Sequence, residues 1–252
     1  MNPVRGNIQV LILAAGQGKR MGAGDLPKVL VPLKGKPMLG HLLEAIKNSG
    51  VGETPTVVIG KGAEKVKETF GDDYQYVLQE EQLGTGHAVK VAKGALKDAT
   101  DVMVLYGDHP LVSAKLIKAL AQKHLSSGSV LTMATVTVPD FEDWRREFIS
   151  FAKIIRDDKD KVVKIVERKD ISEDQKDIPE VNPAYMCFKA DWLWENLKNL
   201  GKDNAQGEYY LTDLVKMAVD QGHEITTVDI QDIKEALGIN TSEQLKSIEE
   251  LL

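Results

Sequence analysis

In the first half of the chain, short β-branched apolar runs alternate with segments of helical spacing, and few folds accommodate that alternation. The runs fall at residues 8–14, 56–60, 74–78 and 102–106; the helical segments between and after them fall at 37–48, 63–70, 85–96 and 113–125. Such an order implies βαβ units. Crossover helices cover both faces of a parallel sheet, so its strands can be apolar on both sides, as Val10-Leu11-Ile12-Leu13 and Val102-Met103-Val104-Leu105 are. Ligands of a doubly wound sheet bind beyond the carboxyl ends of the strands, which directs attention to the loops that start at Ala15, Gln79 and Gly107.

The second half has strand-like stretches at 129–138, 149–155, 161–166 and 181–188 before helical spacing returns at 191–200 and 208–221. Antiparallel insertions are expected there, with Asp157-Asp158-Lys159-Asp160 as a solvent-facing hairpin turn. Thr241 or Ser242 is suited to cap a last helix bearing Leu245, Ile248 and Leu251. With 252 residues and no repeat or evident linker, the expectation is one α/β domain with two halves, about 1–128 and about 129–252.

A net charge of −6 argues against sequence-independent nucleic-acid binding, which needs a basic face. No stretch approaches the roughly 20 apolar residues that cross a bilayer. Cys187 is the only cysteine and sits in an apolar run, so it reads as a core thiol in a reducing, cytoplasmic setting.

The strongest local signal is Leu13-Ala14-Ala15-Gly16-Gln17-Gly18-Lys19-Arg20-Met21, followed by Pro27-Lys28. Glycines after a strand let peptide N–H groups approach an anion closely, and Arg20 and Lys28 are available to neutralise it. No Gly-Lys-Ser or Gly-Lys-Thr follows, which excludes a Walker loop, and the third glycine of a dinucleotide fingerprint would fall at Met21. Read as a phosphate-facing lysine, Lys28 is expected to make few packing contacts.

This spacing resembles the signature of the nucleotidyltransferases that activate sugars and small phosphates. Three further stretches narrow the match: Gln79 to Ala88, Tyr106-Gly107-Asp108, and Asn204 to Asp213. Together they resemble the uridylyltransferase half of the bacterial bifunctional N-acetylglucosamine-1-phosphate uridyltransferases, over about residues 8–240. The resemblance implies a Rossmann-like, glycosyltransferase-A-like nucleotidyltransferase fold with a mixed, mostly parallel sheet flanked by helices. It implies UTP and a sugar-1-phosphate as substrates and Mg2+ as cofactor. Arg20, Lys28 and Asp108 take the catalytic positions, and Asp108 and Asn240 hold the metal. Ala14, Ala15, Gly16, Gln79, Gln82, Gly84 and Thr85 surround the nucleotide; Tyr106, Ala152, Glu167 and Asn182 surround the sugar. His87 supports the following helix or touches the chemistry. Asp108 and Asn240 also admit a plainer role as helix caps.

Two departures bear on the sugar. Phe151-Ala152-Lys153-Ile154 stands where the family has Tyr-Gly-Arg-Ile, after an apparent insertion at 141–150, and Asn182-Pro183-Ala184 stands for Asn-Thr-Gly. A different sugar or alcohol phosphate, or a silent nucleotide-sugar binder, therefore stays open. The family's hexapeptide repeats are absent from this sequence, so no acetyltransferase activity is expected of it.

Overall fold

The computed structural model describes residues 7–16, 18, 21, 24, 26–52 and 54–252. Its first half runs β1 (Ile8–Ala14), β2 (Pro32–Leu33), β3 (Lys36–Pro37), α1 (Met38–Ser49), β4 (Thr56–Ile59), α2 (Ala63–Phe70), β5 (Gln75–Leu78), α3 (Thr85–Val91), β6 (Asp101–Tyr106) and α4 (Ala114–Ser127). The second half contributes β7 (Leu131–Thr137), β8 (Ala152–Arg156), β9 (Val162–Val166), β10 (Glu180–Asn182), β11 (Met186–Lys189), α5 (Ala190–Asn196), α6 (Asp213–Asp220), β12 (Thr226–Asp229) and α7 (Ser242–Leu251).

A ten-stranded sheet has the order β5-β4-β1-β6-β11-β7-β10-β8-β9, with β12 also paired to β7. The pairs β4 with β5, β1 with β4 and β1 with β6 are parallel. Within this sheet, among the described strands, only β9, β10 and β11 run against the rest, and these are the antiparallel insertions of the second half; β2 and β3 form a separate antiparallel pair.

Alternation along the strands divides the core in two. Val10, Ile12, Met103 and Leu105 face the layer of α1 and α4, while Leu11, Leu13, Val102 and Val104 face that of α3, α5 and α6. Leu11 and Ile12 are both wholly buried, on opposite faces. Each such side chain stabilises the fold by roughly 1.5–3 kcal/mol, so β1 and β6, in the middle of the parallel part, form a rigid platform. Helix α4 is stopped by Gly128 at φ 68° and started by Ser113, whose hydroxyl accepts from Leu116 N.

Several sequence boundaries shift. The strand expected at 149–155 begins only at Ala152, because a 3-10 segment over Asp143–Ser150 drives Phe148 into the core. The strand expected at 181–188 is broken into β10 and β11 at Pro183 and Ala184, the latter with φ 69°. The helix expected from Glu208 starts only at Asp213.

Candidate active site

Strands β1, β4, β5 and β6 end on one side of the sheet, and the loops that follow them meet there. Among the expected residues, Ala14, Ala15, Gly16, Lys28, Gln79, Gln82, Gly84, Thr85, Tyr106 and Asp108 line one cavity at these ends. Leu13, Val29, Ala88 and Glu208 line it too; Val29 escaped sequence reasoning, while the other three belong to the quoted stretches but were given no role. Arg20 lies outside the described residues.

Lys28 opens a short 3-10 turn, Lys28–Leu30, and is 7% exposed. The expectation of few packing contacts is therefore corrected. Gly18, at φ 62°, lies so close that a Cβ there would come within 2.7 Å of Lys28 Cβ, so glycine is needed for the lysine to enter. Its ammonium donates to Asp108 Oδ2 and, at 2.7 Å, to Asn240 Oδ1.

Asp108 is set by the turn that ends β6. Gly107 N donates to Leu13 O at 3.0 Å, and a Cβ on Gly107 would press on Val29 and Ala14. Asp108 does not cap a helix, since that role in α4 belongs to Ser113. Burial works to raise the Asp108 carboxyl, but the Lys28 ammonium outweighs it and holds the group below its usual range. His109 is held below its own usual range by burial, against the pull of Asp108.

Asn240 is fixed from both sides. Ile239 N donates to Asp108 O at 2.9 Å, while Asn240 N donates to Gln244 Oε1 at 2.7 Å. Thr241 and Gln244 form the capping box of α7, so the cap is Thr241 and the Asn240 side chain is released to Lys28. Gln244 in turn donates to Glu147 in the inserted segment at 2.8 Å.

The loop after β5 is clamped by the segment before α6. Gly86 N donates to Tyr209 O at 2.8 Å, Tyr209 N to Leu83 O at 2.9 Å, and Leu211 N to Thr85 Oγ1 at 3.0 Å. Any side chain on Gly84 would strike Tyr209 O at 2.5 Å. That clamp uses the backbone that a helix from Glu208 would have needed. Gln79, buried, donates from Nε2 to Gly84 O at 3.2 Å and to His87 Nδ1 at 3.1 Å, and the His87 ring lies against Tyr209. His87 thus supports the loop.

Tyr106 is raised well above its usual range by burial and then by Glu167. Glu167 itself is raised by burial although Thr212 donates to its Oε1 at 2.8 Å. Glu167, Ala152 and Asn182 lie beyond the residues that line the cavity. Ala152 pairs with Asn182 across β8 and β10, and Asn182 Oδ1 accepts from Ala184 N at 2.9 Å.

The donor set suits the magnesium that the resemblance implies. Two hard oxygens, from Asp108 and Asn240, converge on the single positive charge of Lys28. No group of three or more His, Cys, Asp and Glu side chains among the described residues is arranged to hold a metal by itself. Remaining ligands would come from water and substrate phosphates, which is how Mg2+ is usually bound.

The MobA-like NTP transferase domain model matches residues 10–214, which include both the glycine turn and the clamp. The chain belongs to that family. As a MobA-like NTP transferase domain, it is similar to the bifunctional protein GlmU of Clostridium botulinum strain Eklund 17B, 41% identical over 244 residues, 96% of this chain and 51% of the relative. The GlmU proteins of Brevibacillus brevis, 40% identical over 243 residues (96% of this chain, 51% of the relative), and Paraburkholderia phytofirmans, 39% over 248 residues (97% and 52%), are similar too. The chain spans about half the length of these curated relatives. Among solved structures, HddC from Yersinia pseudotuberculosis complexed with GMP-PN superposes with a TM-score of 0.68 at 20% identity, covering 97% of this chain and 99% of that one. It shares the nucleotidyltransferase fold. None of the described helices is long and apolar enough to cross a membrane.

Proposed function

We propose that the protein transfers the uridylyl group of UTP to N-acetylglucosamine-1-phosphate, giving UDP-N-acetylglucosamine and pyrophosphate. The observation that carries this reading is the convergence on one cavity of a glycine turn, a pair of glutamine amides and the Lys28 and Asp108 pair, with Asn240 bonded to it. A sugar phosphate is already a nucleophile, so no serine or cysteine is required. The protein has to align one phosphate oxygen with the α-phosphorus of UTP and stabilise the charge of the departing pyrophosphate.

Lys28 supplies a buried positive charge for the phosphates, and the open space around Gly16 lets them approach. Gln79 has both amide hydrogens engaged, on Gly84 and His87, so its Oε1 is the acceptor left to meet the N3–H of uracil. Cytosine presents a lone pair at that position and would be refused. Mg2+ held by Asp108 and Asn240 would neutralise phosphate charge as the new P–O bond forms and the bond to pyrophosphate breaks. On the sugar side, Glu167 keeps one carboxylate oxygen for a hydroxyl once Thr212 has bonded the other. Ala184 retains at φ 69° the left-handed backbone that a glycine takes easily, which supports an unaltered path for the Asn182 loop.

The test is pyrophosphate release from UTP and Mg2+ with N-acetylglucosamine-1-phosphate, beside N-acetylgalactosamine-1-phosphate, glucosamine-1-phosphate and glucose-1-phosphate. Preference for the first is expected. Activity only with another sugar would move the substrate assignment, and no release with any would favour a silent nucleotide-sugar binder.

A further inference from the structure

His109 follows Asp108 and has no part in the steps above. The residue is 8% exposed, and its Nδ1 lies 2.8 Å from the Tyr185 hydroxyl. Tyr185 donates its one proton to the carbonyl of Glu235 at 2.7 Å. At the first contact the hydroxyl must therefore accept, so Nδ1 carries the hydrogen and Nε2 of the neutral ring carries the lone pair.

That lone pair lies 3.8 Å from Asp108 Oδ1 and has no hydrogen-bond partner among the described residues. Two acceptors facing one another in a buried place repel unless a positive charge comes between them. The separation is less than two metal–ligand bonds of about 2.1 Å each. Lys28 does not fill the gap, since its hydrogen bonds go to Asp108 Oδ2 and Asn240 Oδ1. Gly238 completes the arrangement. A Cβ there would lie 2.5 Å from Nε2 and 2.9 and 3.0 Å from the two flanking ring carbons, which puts Gly238 over the face of the ring and not in the in-plane direction of the lone pair.

We propose that His109 Nε2 is a third protein ligand, with Asp108 and Asn240, of the divalent cation that accompanies the nucleotide. The inference rests on the reading of Asp108 and Asn240 as cation ligands, and it makes the site one of mixed nitrogen and oxygen character. Imidazole suits later first-row metals better than it suits magnesium, so the site favours Mn2+ over Mg2+ more strongly than oxygen ligands alone would. The chain from Glu235 through Tyr185 fixes the ring as hydrogen bonds behind a metal-bound histidine commonly do.

The test needs no turnover. The full chain is loaded with UTP and Mn2+, and pulsed electron paramagnetic resonance is recorded on protein made with ordinary and with 15N-labelled histidine. Nitrogen coupling to Mn2+ that changes with the isotope is expected, as is its loss in His109→Gln, together with a drop of about tenfold or more in Mn2+ affinity relative to Mg2+. If His109→Gln does not fold, the isotope comparison on the unaltered protein still decides. Bound Mn2+ without histidine coupling would overturn the role of His109 and leave the nucleotidyltransferase reading standing. No Mn2+ binding even with UTP present would overturn both.

Discussion

Strand β6 has an aspartate paired with a histidine at each end, and the two pairs differ in a way that separates scaffold from site. At its start, Asp101 is 1% exposed; it accepts from His124 Nε2 at 3.0 Å, from Lys189 at 2.7 Å and from Thr100 at 2.8 Å. His124, wholly buried, accepts at Nδ1 from Thr132 at 2.9 Å. Every polar atom there has its partner within the fold. Beyond the end of β6, Asp108 opens on a cavity, and behind it the Nε2 of His109 is left over. A closed buried network fixes one packing, whereas an open one at the mouth of a cavity is completed by something that binds.

Breaking the open end is expected to give the largest effect. Asp108→Asn keeps an acceptor for Lys28 but removes the charge, so pyrophosphate release should fall by about 100- to 1000-fold with little change in melting temperature. Breaking the closed end should do the reverse. His124→Ala leaves Asp101 and Thr132 without their partner and should destabilise by about 3 kcal/mol, a fall of roughly 6–12 °C in melting temperature, with the rate per folded molecule unchanged.

The closed end also has a pH signature that sharpens the contrast. Burial holds His124 below its usual range even with Asp101 beside it. The unfolded chain therefore takes up a proton near pH 6.5 that the folded one refuses, so stability is full above that pH and declines as pH falls below it. Denaturant unfolding at pH 7 and pH 5.5 should show this loss, and His124→Gln should reduce it.

Smaller effects belong to the sugar side. Glu167→Gln is expected to raise KM for the sugar phosphate about tenfold while kcat falls less, because the amide still accepts from Thr212. Ala184→Gly should relieve a left-handed residue and stabilise by about 1 kcal/mol, or roughly 2–4 °C, without harming turnover.

The parallel half was legible because its strands are apolar on both faces, a pattern that only a covered sheet explains. Strand β12 went unread: Thr226-Thr227-Val228-Asp229 is short, polar and half-exposed beside β7, so it carries little periodic signal. Lys28 and Asp108 were picked out in quoted motifs and Asn240 through the family resemblance, and Lys28 was then found bonded to both. His109 was not, since its meaning depends on Tyr185, Glu235 and Gly238, far along the chain and brought near by β11 and the segment that precedes α7. Spacing reports neighbours in sequence; a lone pair left without a donor is visible only once distant segments pack.

The central claim is that the open network past β6 does the chemistry and the closed one before it only holds the sheet. It is tested most directly by initial rates of pyrophosphate release from UTP and N-acetylglucosamine-1-phosphate, measured for Asp108→Asn and His124→Gln and normalised to folded protein. The expected result is near loss of the rate in the first and a rate close to that of the unaltered chain in the second; equal rates in the two variants would contradict the account.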